Sequence, residues 1–321
     1  MIRKRLPKVS IVAVLLLSAI LWDTGNAAAD DLKNMVSGDS VIRGEAGPSE
    51  IVITTTSRLA GAIHSLTWNG QEFIDSFDHG RQLQSACSFD LGQPEFHAEC
   101  FNPTEAGSRN DGRGNSSTSQ LLKLVSRGHE LKTTTQMAFW LQPGQKSSGK
   151  LAKNRTLLSR HLVSKHVRIG YKGLPHVIEY NVTFKVPSGE RHKLAQFEAL
   201  TGYMPTQFSS FLKFDPKSGK LMMLSDGPGE QRFSVVFSTP DGKHAMGVFS
   251  PQQPAQRFEH AGYGRFRFAA AKVVKWNCVF RVRDATTIKL GEYHFRMFVA
   301  VGTLNDVRQS LISLHRKGQS N

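Results

Sequence analysis

The chain has 321 residues, 39% of them hydrophobic, and a formal net charge of +15. This composition allows a sizeable buried core in one large domain or two. Basic residues are scattered, and aromatic residues do not interleave with them in any run, which argues against nucleic-acid binding. The excess positive charge indicates either an anionic partner or a solvated surface with no dedicated partner.

The N-terminal segment has the three parts of a secretory signal peptide. Four basic residues precede an apolar run from Ile11 to Trp22, and residues 27–29 supply the small residues of a cleavage site. The run is short for a membrane span, and an uncleaved anchor is the alternative. We expect cleavage after Ala29, so residues 1–29 are the signal peptide and the location is periplasmic or secreted. The mature chain would have 292 residues, a net charge of +12 and no membrane span.

Residues 30–48 are polar and glycine-containing, and we interpret them as a flexible lead-in. The first confident element follows in the domain that we assign to residues 49–321. Residues 62–68 and 72–74 are sheet-forming runs joined by Asn69 and Gly70. Because a type I′ turn needs positive φ at both central positions, Asn-Gly between two apolar runs predicts a β-hairpin.

Short β-branched or aromatic runs recur from residue 121 to residue 301, separated by turn residues. This rhythm is typical of an antiparallel sandwich or barrel and not of alternating strands and helices. One helix is predicted near the end, where Thr303 and Asp306 form a capping box ahead of an apolar stripe. The sequence therefore predicts an all-β fold, with this short C-terminal helix packed on the outside of a large antiparallel sheet.

The three cysteines are an odd number for an oxidising compartment, so we expect one disulfide and one free thiol. A local bridge between Cys87 and Cys100 would tie down the polar stretch that contains both. Pairing of either residue with Cys278, or three buried and reduced thiols, are the alternatives.

The hairpin Gly61-Ala62-Ile63-His64-Ser65-Leu66-Thr67-Trp68-Asn69-Gly70-Gln71-Glu72-Phe73, followed by sheet-forming runs to the end of the chain, resembles the galactose mutarotase-like superfamily. The resemblance implies a β-supersandwich and an activity on carbohydrates, because the superfamily includes aldose 1-epimerases, polysaccharide lyase and glycoside hydrolase domains, and periplasmic glucan-handling proteins. The catalytic pattern of aldose 1-epimerases has a His-Gly pair some residues ahead of an arginine and a glutamate late in the chain. This pattern is not reproduced here, because Arg81 follows His79 too closely and Glu292 matches the late glutamate poorly. Simple mutarotation is therefore not expected.

Common catalytic motifs such as HExxH, GxSxG and the P-loop are absent from the sequence, and no cofactor is predicted. Chemistry on sugars needs an acid, a base and groups that hold the substrate, and lyases add a side chain that neutralises a uronate. Residues 61–114 concentrate such side chains in few positions, and a second group follows near residue 200. From these two groups we predict catalytic roles for His79, Glu105, Glu198 and Tyr203, and substrate-binding roles for Arg81, His97, Glu99, Asn102, Arg109 and Tyr263.

Each candidate also has a structural interpretation. His79 fits a tight turn with a salt bridge, and Glu105 fits turn chemistry between a proline and a glycine. His97 and Glu99 share a face if extended, so they suit a metal or a proton, or simply a solvated loop. Glu198 lies among apolar residues, which requires either a buried cationic partner or a perturbed catalytic carboxylate.

Aromatic side chains could stack on sugar faces, although in a sandwich most of them belong to the core. The candidates are Trp68, Trp140, Trp276, Tyr203 and Tyr263. Taken together, these features predict an exported glycoside hydrolase or polysaccharide lyase acting on a polysaccharide or oligosaccharide, neutral or acidic. The alternative is a non-catalytic periplasmic protein that binds a glycan or another polyanion.

Overall fold

The computed structural model of the chain describes residues 36–251 and 261–318. The predicted signal peptide lies outside the described residues. The predicted all-β class is confirmed, since 53% of the described residues are in strands and 9% are helical. Among the described residues no helix has the length and apolarity needed to cross a membrane.

The strands of the described residues form one antiparallel system of 19 members and a separate pair. In chain order they are β1 (Ser40–Ala46), β2 (Ser49–Thr55), β3 (Ile63–Trp68), β4 (Gln71–Glu72), β5 (Leu83–Phe89), β6 (Pro103–Thr104), β7 (Gln120–Arg127), β8 (Glu130–Phe139), β9 (Lys146–Ser147), β10 (Lys150–Leu151), β11 (Leu158–Tyr171), β12 (Leu174–Val186), β13 (Leu194–Pro205), β14 (Ser210–Asp215), β15 (Lys220–Met223), β16 (Gly229–Gln231), β17 (Val235–Ser238), β18 (Ala245–Phe249), β19 (Gly262–Phe268), β20 (Val273–Arg283) and β21 (Gly291–Gly302).

Apart from β4, which pairs with β3, and β6, the remaining 17 strands of this system divide into two layers. One layer runs in the spatial order β1, β2, β3, β5, β13, β20, β19, β16. The other runs β7, β8, β11, β12, β21, β18, β17, β14, β15. The short strand β6 pairs with both β5 and β8 and so joins the layers at one side.

The space between the layers is filled by aromatic and branched side chains. Phe197 of the first layer contacts Phe184 and Phe295 of the second, with ring centroids 5.2 Å apart in both cases. Inward positions alternate with outward ones along the strands, as expected when one face of each sheet packs on the other. This core makes the molecule a β-sandwich.

The predicted hairpin and helix are both confirmed. Trp68 pairs with Gln71 across Asn69 and Gly70, whose φ values are 49° and 73°. The helix α1 (Leu304–Gly318) begins directly after Thr303. The Thr303 hydroxyl accepts a hydrogen bond from the Asp306 N–H at 3.2 Å, and the Asp306 carboxylate accepts one from the Thr303 N–H at 3.0 Å. The apolar face of α1 covers the outer surface of β12, β18 and β21.

Two sequence predictions need correction. Residues 40–46 are not a mobile lead-in, because they form β1 and pair along their whole length with β2. Residues 61–114, for which the sequence predicts a sheet-forming ribbon followed by a long polar loop, contain in that loop a further strand, β5, most of whose side chains are buried. The serine and glutamine residues of β5 give it the composition of a loop, although the core requires this strand.

The predicted disulfide is also wrong, since all three cysteines are buried free thiols. The Cys87 sulfur is directed at the carbonyl oxygen of Pro103 at 3.9 Å, and the Cys100 sulfur at that of Lys150 at 3.6 Å. The two thiols therefore occupy different surroundings, and the alternative of three reduced cysteines holds.

Candidate functional site

A cleft of about 420 Å³ lies over the strands β5, β13 and β20 of the first layer. Its walls come from residues 78–81, residues 98–104, Trp140 and residues 268–273. The predicted polar stretch thus forms one side of the cleft, and the strand that carries Glu198 forms the floor.

The floor acquires its polar residues through strand geometry. Gln84, Ala86 and Ser88 of β5 line the cleft because alternate residues of a strand share a face. Glu198 and Thr201 of β13 are three residues apart and would normally face opposite ways. One extra residue in β13 between them shifts the register against both β5 and β20. This bulge turns both side chains into the cleft.

Glu198 is the centre of a charged group on the floor. Its Oε2 accepts hydrogen bonds from the Thr201 hydroxyl at 2.7 Å and from the Lys275 Nζ at 3.1 Å. Burial opposes its ionisation, but the charge of Lys275 and the hydrogen bonds outweigh burial and lower the pKa of Glu198. Burial also disfavours the ammonium form of Lys275, yet the charge of Glu198 raises the pKa of Lys275 above its ordinary value. Glu198 is therefore ionised near neutral pH, and so is Lys275.

Tyr203 completes this group. The Lys275 Nζ lies 5.2 Å from the centroid of the Tyr203 ring. Burial is the main cause that raises the pKa of Tyr203, and the Lys275 charge opposes it. The phenol consequently keeps its proton near neutral pH, so the floor presents a carboxylate acceptor, an ammonium group and a phenol donor together.

Aromatic side chains flank these charges. The Trp140 ring rests against Gly80, where an added Cβ would lie only 2.8 Å from the ring, so glycine is required for this approach. Phe268 is 41% exposed and stacks on Phe266 with ring centroids 6.0 Å apart. Flat apolar faces beside polar groups suit sugar rings, which have apolar faces and polar edges.

A further cation stands in the wall. Arg81 contacts the carboxylates of Asp78 at 3.2 Å and Asp75 at 3.7 Å. It also donates a hydrogen bond to the carbonyl oxygen of Ala271 at 3.1 Å, which joins the two walls. Arg81 is therefore held rigidly at the cleft rim.

Two amides lie nearby. The Asn102 Nδ2 donates to the carbonyl oxygen of Cys87 at 2.7 Å, which fixes the side chain and directs it at β5. The Gln84 Nε2 donates to the carbonyl oxygen of Gly80 at 3.0 Å, while the Gln84 Oε1 has no hydrogen-bond partner among the described residues. Since a buried oxygen without a partner is costly, Gln84 offers a ready acceptor to a ligand hydroxyl.

Five of the ten predicted site residues line this cleft: Arg81, Glu99, Asn102, Glu198 and Tyr203. His79 and Glu105, for which catalytic roles are predicted, do not line it. Both ring nitrogens of His79 face backbone carbonyl oxygens, of Gly112 and Arg58, at 2.9 Å. Glu105 is fully buried, pairs with Lys165, and accepts a hydrogen bond from the Ser85 N–H at 3.0 Å. Both residues brace the fold from within.

The other three predicted residues also lie outside the cleft. His97 contacts Glu95 at 3.2 Å beside a separate depression. Arg109 donates to the carbonyl oxygen of Lys146 at 3.3 Å. Tyr263 is buried, and its hydroxyl accepts a hydrogen bond from the Ser250 N–H at 2.9 Å. None of the three takes part in the constellation around Glu198.

Lys275, Gln84 and Phe268 are cleft residues that sequence reasoning missed. Lys275 carried a signal, because a lone charge in Val273-Val274-Lys275-Trp276 must find a partner if the strand is buried. Of the five aromatic candidates, Trp140 and Tyr203 line the cleft, whereas Trp68, Trp276 and Tyr263 are buried.

The side chains best placed to hold a metal ion lie outside the cleft. Among the described residues, a single cluster of histidine, cysteine or carboxylate side chains brings its ligand atoms close enough together to hold an ion. It consists of His161, Glu190 and His192. The cleft itself, by contrast, joins each carboxylate to a cation or a hydroxyl, as in Glu99, which accepts a hydrogen bond from Ser147 at 2.5 Å.

No protein-family model matches the chain, and no curated protein does. Solved structures do share its shape in part. They include an α-galactosidase from Lactobacillus brevis (8% identity, TM-score 0.44), which matches 88% of this chain and 42% of its own length. A candidate aldose 1-epimerase from Klebsiella pneumoniae (10%, 0.42) matches 91% and 90%.

A heparan sulfate lyase from Pedobacter heparinus is a third neighbour, with 10% identity and a TM-score of 0.40. The match covers 83% of this chain but only 35% of the lyase. The reaction of this chain therefore has to be inferred from the side chains of its own cleft.

Proposed function

We propose that this chain is an exported carbohydrate-active enzyme, a polysaccharide lyase whose cleft binds an acidic glycan. The observation that supports this most directly is the group formed by Glu198, Lys275 and Tyr203 between aromatic faces. The net positive charge of the chain favours an anionic substrate.

The proposed reaction is a β-elimination. The Glu198 carboxylate takes the proton from the carbon next to the uronate carboxyl group, and the Tyr203 hydroxyl gives its proton to the departing glycosidic oxygen. One C–H bond and one C–O bond break, and a carbon–carbon double bond forms. Lys275 and Arg81 supply positive charge for the uronate carboxylate, on which negative charge builds up as the proton leaves.

Hydrolysis by two carboxyl groups fits the cleft less well. Such hydrolases place two carboxyl groups on either side of the scissile bond. Here the groups beside Glu198 are Lys275 and Tyr203, while Asp78 is bound to Arg81 and Glu99 to Ser147.

The decisive experiment compares Glu198→Gln and Tyr203→Phe with the unmodified protein on a panel of acidic and neutral glycans. An unsaturated product absorbs near the ultraviolet limit, which separates elimination from hydrolysis. We expect each variant to lower kcat by about 10²–10⁴-fold with little change in KM, because each removes one proton-transfer group. The matched control is Glu130→Gln on β8, a glutamate paired with Arg168 on the other layer, and it should keep full activity.

A saturated product with a new reducing end would show that the reaction is hydrolysis and not elimination. Full activity of both variants would contradict the proposal that Glu198 and Tyr203 carry out the reaction in this cleft.

Binding without catalysis is the second candidate, and one observation favours it. Glu198 is already neutralised by Lys275, and its lowered pKa makes it a weak base. On this hypothesis no glycan is cleaved. Calorimetry should then show that Trp140→Ala weakens glycan binding, whereas the control Trp68→Phe, a change in the core, leaves binding unchanged.

Export has its own test. If the leader is cleaved after Ala29, intact mass and N-terminal sequencing of protein from the extracytoplasmic fraction should give a chain that begins at Asp30. Recovery of the full chain from Met1 in the membrane fraction would support the uncleaved anchor.

A further inference from the structure

A second group of reactive side chains lies at one end of the sandwich, away from the cleft. His161 belongs to β11, and Glu190 and His192 belong to the segment 187–193 that connects β12 to β13. The Nε2 atoms of His161 and His192 lie 3.2 Å and 2.8 Å from the same oxygen, Glu190 Oε2. One ligand atom from each of the three residues lies within 4.8 Å of the others.

The two imidazoles are buried, with 1% and 0% of their side chains exposed, and they are poorly satisfied by hydrogen bonds. Among the described residues neither nitrogen of His161 has a hydrogen-bond partner, and Nδ1 of His192 has none. His161 Nε2 is thus close to the carboxylate without the direction that a hydrogen bond needs. A buried polar atom that lacks a partner costs free energy, so an additional bound group is indicated here.

We propose that His161, Glu190 and His192 form a binding site for a transition-metal dication of the zinc type. Two imidazole nitrogens and one carboxylate oxygen are the ligands that Zn²⁺ accepts, whereas Ca²⁺ and Mg²⁺ prefer oxygen ligands alone. Three protein ligands leave the fourth tetrahedral position to a water molecule.

The surroundings fit such a site. Phe89 lies against both imidazoles, with ring centroids 5.0 Å from His161 and 4.5 Å from His192. Phe101 packs on the same two rings at 6.0 Å and 5.9 Å. These apolar rings exclude water from one side, while Glu190, 13% exposed, gives solvent and metal a way in.

The position of the site suggests its effect. Segment 187–193 leads directly into β13, which carries Glu198, Thr201 and Tyr203. A metal ion would fasten this segment to β11 in the opposite layer and so hold the first residues of β13 in place. The proposal assigns the ion a stabilising role, and it stands independently of the proposed lyase activity.

The test uses the full mature chain purified without a histidine tag. Elemental analysis after dialysis should find about one zinc per chain, and the melting temperature should fall when a strong chelator is added and recover with ZnCl₂. His192→Ala and Glu190→Gln should lose the metal and the response to chelator. The control His166→Ala lies on the same strand and also contacts a glutamate, Glu130 at 3.2 Å, and it should retain both.

A spectroscopic titration needs no variant and therefore does not depend on whether the variants fold. Co²⁺ added to the metal-free protein should produce visible absorption of a tetrahedral site that saturates at one equivalent and is abolished by Zn²⁺. The proposal is overturned if the metal-free protein gives no such band, or if His192→Ala folds and still binds zinc like the His166→Ala control.

Discussion

Two glutamate–lysine pairs in this protein have the same chemistry and opposite surroundings. Glu105 and Lys165 join the inner faces of the sandwich, and neither side chain is exposed. Glu198 and Lys275 join neighbouring strands on the cleft floor, with 22% and 13% of their side chains exposed. The sequence suggested a catalytic role for both glutamates. The comparison shows that access to a cavity, and not the residue type or its partner, decides which carboxylate can meet a substrate.

Breaking each pair should separate them most strongly. Lys165→Met leaves Glu105 charged and enclosed, and we expect the free energy of unfolding to fall by about 3–5 kcal/mol. Lys275→Met leaves Glu198 with solvent and the Thr201 hydroxyl, and the expected loss is about 1 kcal/mol or less. Chemical denaturation of the two variants at neutral pH measures both values. Equal losses would mean that exposure does not distinguish the pairs.

Replacing the whole buried pair sharpens the same contrast. Glu105→Leu combined with Lys165→Met removes both charges, so we expect recovery of at least about 2 kcal/mol relative to Lys165→Met alone. Activity or glycan binding in the cleft should survive in this double variant. A double variant no more stable than the single one would show that the hydrogen bond from Ser85 to Glu105, and not the charge pair, holds this part of the core.

Acid titration addresses the cleft pair. The pKa of Glu198 is lowered in the folded chain from its ordinary value of 4.5, so its contribution to stability is present above pH 4.5 and is lost as the pH falls through the folded pKa. The stability difference between the unmodified protein and Glu198→Gln should be constant from pH 7 to about pH 5. It should then shrink by up to about 1 kcal/mol toward pH 3. A difference that grows on acidification would reverse the assigned direction of the shift.

The smallest expected effect belongs to Thr201→Val. This change removes the hydroxyl that donates to Glu198 at 2.7 Å, and we expect a loss of about 0.5 kcal/mol of stability. The pKa of Glu198 should rise, so the acid limb of a pH–activity profile should move to higher pH. Thr183→Val on β12, remote from the cleft, is the matched control and should leave that profile unchanged.

Local chemistry was predicted well from the sequence. The Asn69-Gly70 turn and the capping box of Thr303 and Asp306 depend on residues that are close in the chain. Strands β11, β12 and β21 were predicted because their β-branched and aromatic runs were long. Strand β5 was missed because Gln84, Ser85 and Ser88 gave it the composition of a loop.

The candidate site was predicted only in part, for a reason of distance along the chain. Glu198 and Tyr203 were identified, but Lys275 was not, although its ammonium group contacts the Glu198 carboxylate at 3.1 Å. His161 and His192 were likewise overlooked, because nothing in the sequence brings β11 to the segment before β13.

The sequence by itself determined the all-β class, the first hairpin and the final helix, since each follows from backbone preferences and alternation within a few residues. Only the tertiary structure decided which polar residues face a cavity. The sandwich places Glu105 between its layers, and a single extra residue in β13 turns Glu198 outward to the cleft. Burial and strand register arise from pairing between distant segments, which is why neither could be derived from the order of residues alone.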